Sequence, residues 1–317
     1  MANFFIYNFF MIYDLIIIGG GPAGVAAGIY ASRKKIKALL ITDSFGGQAV
    51  ISDTINNFIG YKSISGVELK NKLEEQLRGQ SNLIDIKEGT KIEKIEKKGG
   101  DFLVITDEGE TIETKTILIA MGSSSRRLNV PGEAEFTGKG VFYCTICDAP
   151  LMKGKAAAVV GGGNSGLESV IDLLPYADKI YLFEYSENLK GDPIYIDKIK
   201  NSGKVEICAM AAVKEILGNK FVSGLKYEDR KTGEVKEVKL NGVFISIGYR
   251  PNTDLVKDLV KLNEKGEIIV NHQTHQASLE GIWAAGDIAD SLYNQISTAI
   301  GDAVKATLNI YDYLKKK

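Results

Sequence analysis

A strand–turn–helix unit occurs twice in this chain, and that repeat leaves few folds open. The first copy runs as a buried strand from Tyr13 to Ile18, then Gly19-Gly-Gly-Pro-Ala-Gly24, a helix-like run to about Ser32, and a second strand from Lys37 to Thr42 that ends at Asp43. The second copy runs from Ala156 to Val160, then Gly161-Gly-Gly-Asn-Ser-Gly166, a helix to about Leu174, and a strand from Lys179 to Phe183 that ends at Glu184. Unbroken apolar runs of this length fit parallel strands covered on both faces.

Each loop is a Gly-x-Gly-x-x-Gly with a strand before it, a helix after it, and an acid closing the next strand. Asp43 stands nineteen positions beyond Gly24, and Glu184 eighteen beyond Gly166. The first glycine makes the turn, the second admits a pyrophosphate against the backbone, and the third lets helix and strand pack closely. The helix start presents unpaired N–H groups and a positive dipole end to phosphate, and the acid accepts hydrogen bonds from a ribose hydroxyl. A single such loop is weak evidence, because glycine-rich turns match by chance. Two complete contexts predict an α/β chain with two Rossmann-like dinucleotide-binding domains, and two dinucleotides, a flavin and a nicotinamide. In the second copy Gly161, Gly163, Asn164, Ser165 and Gly166 are the loop residues expected to touch a nucleotide, with Glu184 at the ribose.

Between the repeats lies Cys144-Thr-Ile-Cys147, followed by Asp148. Two thiols at this spacing close a short disulfide when the second sits at a helix start, where the dipole lowers a thiol pKa. Asp148 is an acid placed to deliver or remove a proton. The same spacing is half of a zinc site, which needs two more ligands from Cys208, His272 and His275, none of them a tight second pair. A purely structural cysteine pair is the third reading. Cys208, in the strand-like run Val205 to Ala209, is expected in the core, and the two histidines, in a polar stretch without an evident acidic partner, are assigned no chemistry.

Short alternating stretches, Asp101 to Thr106 and Ile112 to Ala120, predict β-meanders. Gly281 to Ile288 reads as a strand meeting a glycine turn, and an amphipathic helix is expected from about Gln295 to Lys315. No low-complexity linker divides the halves, which favours one module inserted into the other. Composition excludes several classes. With 44% hydrophobic and 25% charged residues in 317, the chain has the make-up of a soluble globular protein. Lys plus Arg number 39 against 40 Asp plus Glu, so nothing suggests a nucleic-acid binder. Three cysteines are too few for a secreted disulfide framework and point to the cytoplasm. The apolar start, residues 1–10, has no basic leader, and Asp14 interrupts it before it is long enough to span a bilayer. It is expected to be an extension with no role in the fold, the first strand beginning after Met11.

The ordered set Gly46-Gly47-Gln48, Asn56-Asn57-Phe58-x-Gly60, Tyr143-Cys-x-x-Cys-Asp148, Gly248-x-x-Pro-Asn-Thr253 and Ala284-Ala-Gly-Asp287, joined to the two glycine loops, resembles the low-molecular-weight thioredoxin reductases. It is also similar to the flavoprotein subunit of alkyl hydroperoxide reductase without that protein's N-terminal thioredoxin-like domains. The resemblance covers about residues 11–317. It implies an FAD-binding domain made of 11–124 and 249–317, and a nicotinamide-binding domain, 125–248, carrying the cysteines. Gly19, Gly21, Pro22, Ala23 and Gly24 would hold the FAD pyrophosphate, and Asp43 the adenine-side ribose. Gly47, Gln48 and Asn57 would line the flavin, with Gly46 and Gly122 counted among the cofactor contacts. Gly286 and Asp287 would meet the ribityl-phosphate region, and Gln295 and Ile296 the isoalloxazine ring. The chain departs from the family at Met121, where threonine is usual, and at Asn294, where arginine is usual.

The resemblance further implies a homodimer whose nicotinamide module rotates against the FAD module, and electron flow from NAD(P)H through FAD and Cys144–Cys147 to a thioredoxin or glutaredoxin-like protein. Cys147 would face the flavin, Cys144 would attack the partner, and Asp148 would act as acid–base. NADPH-using members resemble His-Arg-Arg after the second loop, where this chain has Glu184-Tyr185-Ser186. A carboxylate there repels a 2′-phosphate and favours NADH over NADPH. The rivals are the same reductase fed by reduced ferredoxin or a deazaflavin, a ferredoxin–NADP reductase, against which the cysteine pair counts, and a non-catalytic flavin redox sensor.

Overall fold

The structure, a computed structural model, describes residues 12–52, 55–80 and 82–317. The expected extension at residues 1–10 lies outside these. The chain divides into two compact units: the described part of Met1–Val50 with Gly66–Ser124 and Arg250–Lys317, and Ile51–Ser65 with Ser125–Tyr249. The segment Ile51–Ser65 therefore groups with the second unit, whereas the sequence reading counted it with the first.

In the first unit a five-stranded sheet runs in the order Ile282–Ala284, Ile117–Ile119, Leu15–Gly20, Ala38–Phe45, Ile84–Glu88, and every pairing is parallel. The run Leu-Ile-Ile-Ile explains why the glycine-loop strand is central: β-branched residues on both faces need cover on both faces. Leu15 and Ile17 turn to the helices Pro22–Arg33, Gly66–Arg78 and Ile296–Leu314, while Ile16 and Ile18 turn to a cluster holding Ile95, Phe102, Val104 and Ile112. That alternation is the period of two of an extended chain. The second cluster comes from an antiparallel sheet of Ile92–Lys98, Asp101–Thr106 and Thr111–Thr114. Pro22 at the helix start has its φ preset and no N–H to leave unpaired.

The expected strand Ile112 to Ala120 is two strands in two sheets, Thr111–Thr114 and Ile117–Ile119. Threonine hydroxyls make the break: Thr114 Oγ1 donates to the Thr116 carbonyl (3.0 Å) and Thr116 Oγ1 to the Asp14 carbonyl (2.6 Å), so the backbone is satisfied where the chain changes sheet.

The second unit repeats the plan. Its parallel sheet runs Val205–Cys208, Lys179–Phe183, Ala156–Val160, Gly242–Ile245, Val141–Phe142. Ala157 and Val159 face the helix Asn164–Leu173 and its cluster, and Ala158 and Val160 face the antiparallel sheet of Ala211–Gly218, Val222–Asp229 and Val235–Lys239. In both units the glycine-loop strand is third from either edge, so its loop opens at the carboxyl end of the sheet, where open α/β sheets bind ligands. Among the described residues no helix is long and apolar enough to cross a membrane.

Candidate redox site and its dinucleotide loops

The two glycine loops coincide residue by residue. Gly19 and Gly161 both take φ 120°, and a Cβ on either would strike a backbone carbonyl oxygen, that of Ala120 or Ser246. Gly21 and Gly163 cap their helices in the same extended conformation, φ −73° and ψ −179° against φ −84° and ψ −179°. A Cβ on Gly24 or Gly166 would overlap the carbonyl oxygen of Gly19 or Gly161, so only glycine allows the helix to leave the turn this closely. Neither helix has an acidic residue in its first turn, which leaves its N-terminal N–H groups unopposed for an anion.

Around the first loop, Pro22 and Ala23 open the helix Pro22–Arg33. Gly46 donates its N–H to the Gly20 carbonyl at 2.9 Å, and a Cβ on Gly47 would stand 3.3 Å from Gly21 Cα, so the two glycine segments lie side by side. Gln48 Nε2 donates to the Ser123 carbonyl at 2.8 Å, next to Gly122. Gly286 follows the strand Ile282–Ala284, and a Cβ there would lie 3.3 Å from both Ala23 Cβ and Ala299 Cβ. Gln295 caps the helix Ile296–Leu314, of which Ile296 is the first residue. These residues share the carboxyl edge of one sheet, a cradle of small side chains and backbone amides suited to a phosphate-linked planar cofactor. Asp43 is exposed within Ala38–Phe45, with Lys91 Nζ 3.5 Å away. Asn57 lies exposed in Ile51–Ser65, the segment grouped with the second unit. Asp287 is partly buried, which pushes its carboxyl up; Ser123 Oγ at 3.5 Å opposes the shift and the Asp302 charge adds to it.

The two histidines, expected to lack acidic partners, both have one. His275 is 1% exposed, and Nε2 stands 3.2 Å from Asp302 Oδ1, although its ring nitrogens make no in-line hydrogen bond. His272 Nε2 lies 3.9 Å from Asp290 Oδ2. Both have acidic neighbours, supplied by residues distant in sequence. Burial pushes the Asp302 carboxyl up, but His275 and Ser291 outweigh it and hold it below the usual carboxylate range. The His275 carbonyl accepts from Ala284 N at 3.0 Å, which ties this pair to the turn carrying Gly286 and Asp287.

In the second unit Cys144 and Cys147 are disulfide-bonded, with Cα atoms 5.4 Å apart. Cys144, not Cys147, takes the N-cap position of the short helix Thr145–Asp148, with Cys147 inside its turn. Asp148 is 5% exposed and its N–H donates to the Cys144 carbonyl at 3.1 Å. Both cysteines are partly exposed, with Ile146 between them 58% exposed. Cys208 is partly rather than fully buried, ending the edge strand Val205–Cys208, and burial pushes its thiol up to about 11, which makes it inert as a nucleophile.

Two buried networks hold the cysteine turn. Thr145 Oγ1 donates to Ser169 Oγ (2.7 Å), Ser169 Oγ donates to the Ser165 carbonyl (2.8 Å), and Ser246 Oγ stands 2.9 Å from Ser169 Oγ. The cysteine turn is thereby bonded to the glycine-loop helix. On the other side, Tyr143 Oη donates to Glu133 (2.7 Å) and accepts from Arg127 (2.8 Å), and Glu133, 2% exposed, also accepts from Leu128 N and Asn129 N. Burial and Glu133 push the Tyr143 hydroxyl up to about 12, so it stays a donor. Ser169 and Glu133 belong to none of the motifs legible in the sequence.

Glu184, 8% exposed, accepts from Gly162 N and Ser186 N, each at 2.7 Å. Its carboxylate is thus seated on the glycine loop itself. Asn164 Oδ1 accepts from Asp192 N at 2.7 Å.

Residues 13–303 match the family of pyridine nucleotide-disulphide oxidoreductases. The chain is 41% identical over 303 residues to a protein of Bacillus subtilis named NADH dehydrogenase, covering 95% of this chain and 58% of that one. It is 39% identical over 302 residues to a subunit of alkyl hydroperoxide reductase from Staphylococcus aureus, covering 95% and 59%. It therefore spans less than two thirds of the curated relatives it matches. A solved thioredoxin reductase from Streptococcus pyogenes superposes with a TM-score of 0.89 at 37% identity, covering 96% of this chain and 99% of that one. This chain belongs to the pyridine nucleotide-disulphide oxidoreductases, on their thioredoxin-reductase-like branch.

Proposed function

We propose that this chain is an FAD-dependent disulfide reductase that draws electrons from a nicotinamide dinucleotide, NADH before NADPH, and passes them through Cys144–Cys147 to a thioredoxin or glutaredoxin-like protein. The observation that carries the reading is the disulfide-bonded, partly exposed pair in the same unit as a dinucleotide loop closed by Glu184. On this reading the first unit binds FAD and the second binds the nicotinamide. The small-residue cradle at Gly19–Gly24, Gly46–Gln48, Gly122 and Gly286–Asp287 fits FAD, with Asp43, Gln295 and Ile296 as further contacts. When bound, FAD supplies the two electrons that open the Cys144–Cys147 bond.

The residues of the chain then do ordinary exchange chemistry. The Cys144 thiolate attacks one sulfur of the partner's disulfide, and the other partner sulfur leaves as a thiolate and takes a proton. Cys147 attacks the Cys144 sulfur of the mixed disulfide, freeing the partner's second thiol and restoring Cys144–Cys147. Asp148, buried beside the turn, holds or gives the proton. Glu184 is the ground for NADH: its carboxylate accepts from a free 2′-hydroxyl and repels a 2′-phosphate. The name of the Bacillus subtilis relative agrees with that choice.

The deciding experiment is a steady-state assay of purified protein with NADH and NADPH against a panel of thioredoxin-fold proteins, run beside Cys147→Ser. Wild type should reduce at least one partner disulfide with a higher kcat/KM for NADH. Cys147→Ser should lose that activity and keep NADH-to-dye transfer. Protein that remains colourless after reconstitution with FAD, or Cys147→Ser that still reduces disulfides, defeats the reading.

A further inference from the structure

We propose that Tyr185 and Arg230 form the seat of the dinucleotide's adenine ring, so that this chain holds the adenosine end of its donor by stacking the base and not by gripping a phosphate; this rests on the nicotinamide reading above. A dinucleotide held on a strand–turn–helix unit puts its pyrophosphate at the glycine loop and its adenosine beyond the end of the next strand, where an acid takes the ribose. In the second unit that acid is Glu184, and Tyr185 is the next residue outward.

The loop here is built rather than loose. The Glu184 carbonyl accepts from Ala211 N at 2.9 Å and the Ser186 carbonyl from Met210 N at 3.0 Å. Arg230, at the end of the hairpin strand Val222–Asp229, closes the structure twice. Its N–H donates to the Met210 carbonyl at 2.8 Å, and its Nη1 donates to the Tyr185 carbonyl at 2.8 Å. The same guanidinium lies 3.8 Å from the Tyr185 ring centroid. One planar cation therefore holds both the backbone and the ring of Tyr185, which is the two-sided grip a guanidinium gives and an ammonium does not. Tyr185 is nevertheless 61% exposed, which leaves it surface to offer a second flat group. Adenine is such a group, and stacking on an aromatic ring is how proteins commonly hold a base.

The arrangement bears on selectivity through Glu184. Arg230 donates one N–H, from Nη1, to the Tyr185 carbonyl and lays its face against the Tyr185 ring. A 2′-phosphate brought to its other donors would still face the Glu184 carboxylate. Stacking the base leaves both contacts of Arg230 in place and the 2′-hydroxyl to Glu184.

The test uses the full-length FAD-loaded protein with Tyr185→Ala, Tyr185→Phe, Arg230→Ala and Arg230→Lys, each checked for folding by its thermal transition. Donors are NADH, NADPH and reduced nicotinamide mononucleotide, which lacks the adenosine, and AMP binding is read by calorimetry without any turnover. Tyr185→Ala and Arg230→Ala should each weaken AMP binding by about tenfold and lower the ratio of kcat/KM for NADH over the mononucleotide by a similar factor. Tyr185→Phe, which keeps the ring, should restore both, and Arg230→Lys, which keeps charge without the plane, should not. Undiminished AMP binding in Tyr185→Ala overturns the seat. A loss in Arg230→Ala confined to NADPH overturns it as well, by making Arg230 a phosphate ligand. Wild-type protein that accepts electrons from none of the three donors removes the nicotinamide reading itself, which is visible before any variant is made.

Discussion

Thr145, inside the cysteine turn, donates its hydroxyl to Ser169 Oγ on the glycine-loop helix at 2.7 Å. The proton count at Ser169 is closed. Its one hydrogen goes to the Ser165 carbonyl, so Ser246 must donate to it, and both lone pairs of Ser169 Oγ are used. Replacement by alanine leaves two hydroxyls, Thr145 and Ser246, without their acceptor in a buried place.

Ser169→Ala should therefore cost about 1–3 kcal/mol of stability. Denaturant unfolding of the second unit is the measurement. Thr145→Val made on top of Ser169→Ala should recover part of that loss, because it deletes the orphaned donor. A double variant no more stable than the single would show that the bond contributes nothing and that the helix contact alone holds the turn.

Glu184→Gln is the sharpest test of donor choice. Both carboxylate oxygens accept backbone N–H groups, so glutamine keeps one acceptor and turns the other into a donor facing Gly162 N or Ser186 N. Removing the charge should narrow the preference for NADH over NADPH by about tenfold, equivalent to roughly 1.4 kcal/mol. The check is kcat/KM for both donors, and an unchanged ratio would show that the carboxylate takes no part in selection.

The glycine loops and the cysteine pair were legible in the sequence because their chemistry is local. Gly24 is demanded by the carbonyl of Gly19 five residues before it, the three loop glycines fall within six residues, and Cys144 meets Cys147 across one turn. Other features were hidden because they join residues far apart along the chain. His275 looked unaccompanied until the helix Ile296–Leu314 brought Asp302 to 3.2 Å. Arg230 gave no sign of touching Tyr185, forty-five positions earlier, because a hairpin does the joining. The strand expected over Ile112 to Ala120 failed at Thr116, since an apolar alternation does not show that its two halves belong to different sheets.

Asp287 sets a pH dependence whose sign is fixed by burial. Its carboxyl is raised in the folded chain, so the folded state holds that proton more tightly than the unfolded state does. Stability from this group is present below the unfolded carboxylate value, about 3.9, and is lost as pH rises through the raised folded value. Flavin-free Asp287→Asn should thus unfold at a higher temperature than wild type at pH 7, with the gain disappearing in acid. Its FAD affinity should fall by about ten- to a hundredfold, the range for losing a hydrogen bond to a charged group. Thermal scans from pH 4 to 8 and FAD titration measure the two effects separately. A variant less stable than wild type at pH 7 would contradict the burial argument.

Because the two glycine loops are geometric twins, one substitution made in each separates the two dinucleotides. A methyl group at Gly24 or at Gly166 runs into the carbonyl oxygen of Gly19 or Gly161, with no flexible side chain to give way. The helix must then back off from the turn, which spoils the amides at its N-terminus that would face a pyrophosphate. Gly24→Ala should yield protein that loses its yellow colour on gel filtration. Gly166→Ala should stay yellow while its KM for NADH rises by about tenfold or more, roughly 1.4 kcal/mol of lost binding. The absorbance ratio of flavin to protein and the KM for NADH are the two readings. If Gly24→Ala spared the flavin and Gly166→Ala lost it, the assignment of the two loops would be the wrong way round, although each would still be a dinucleotide site.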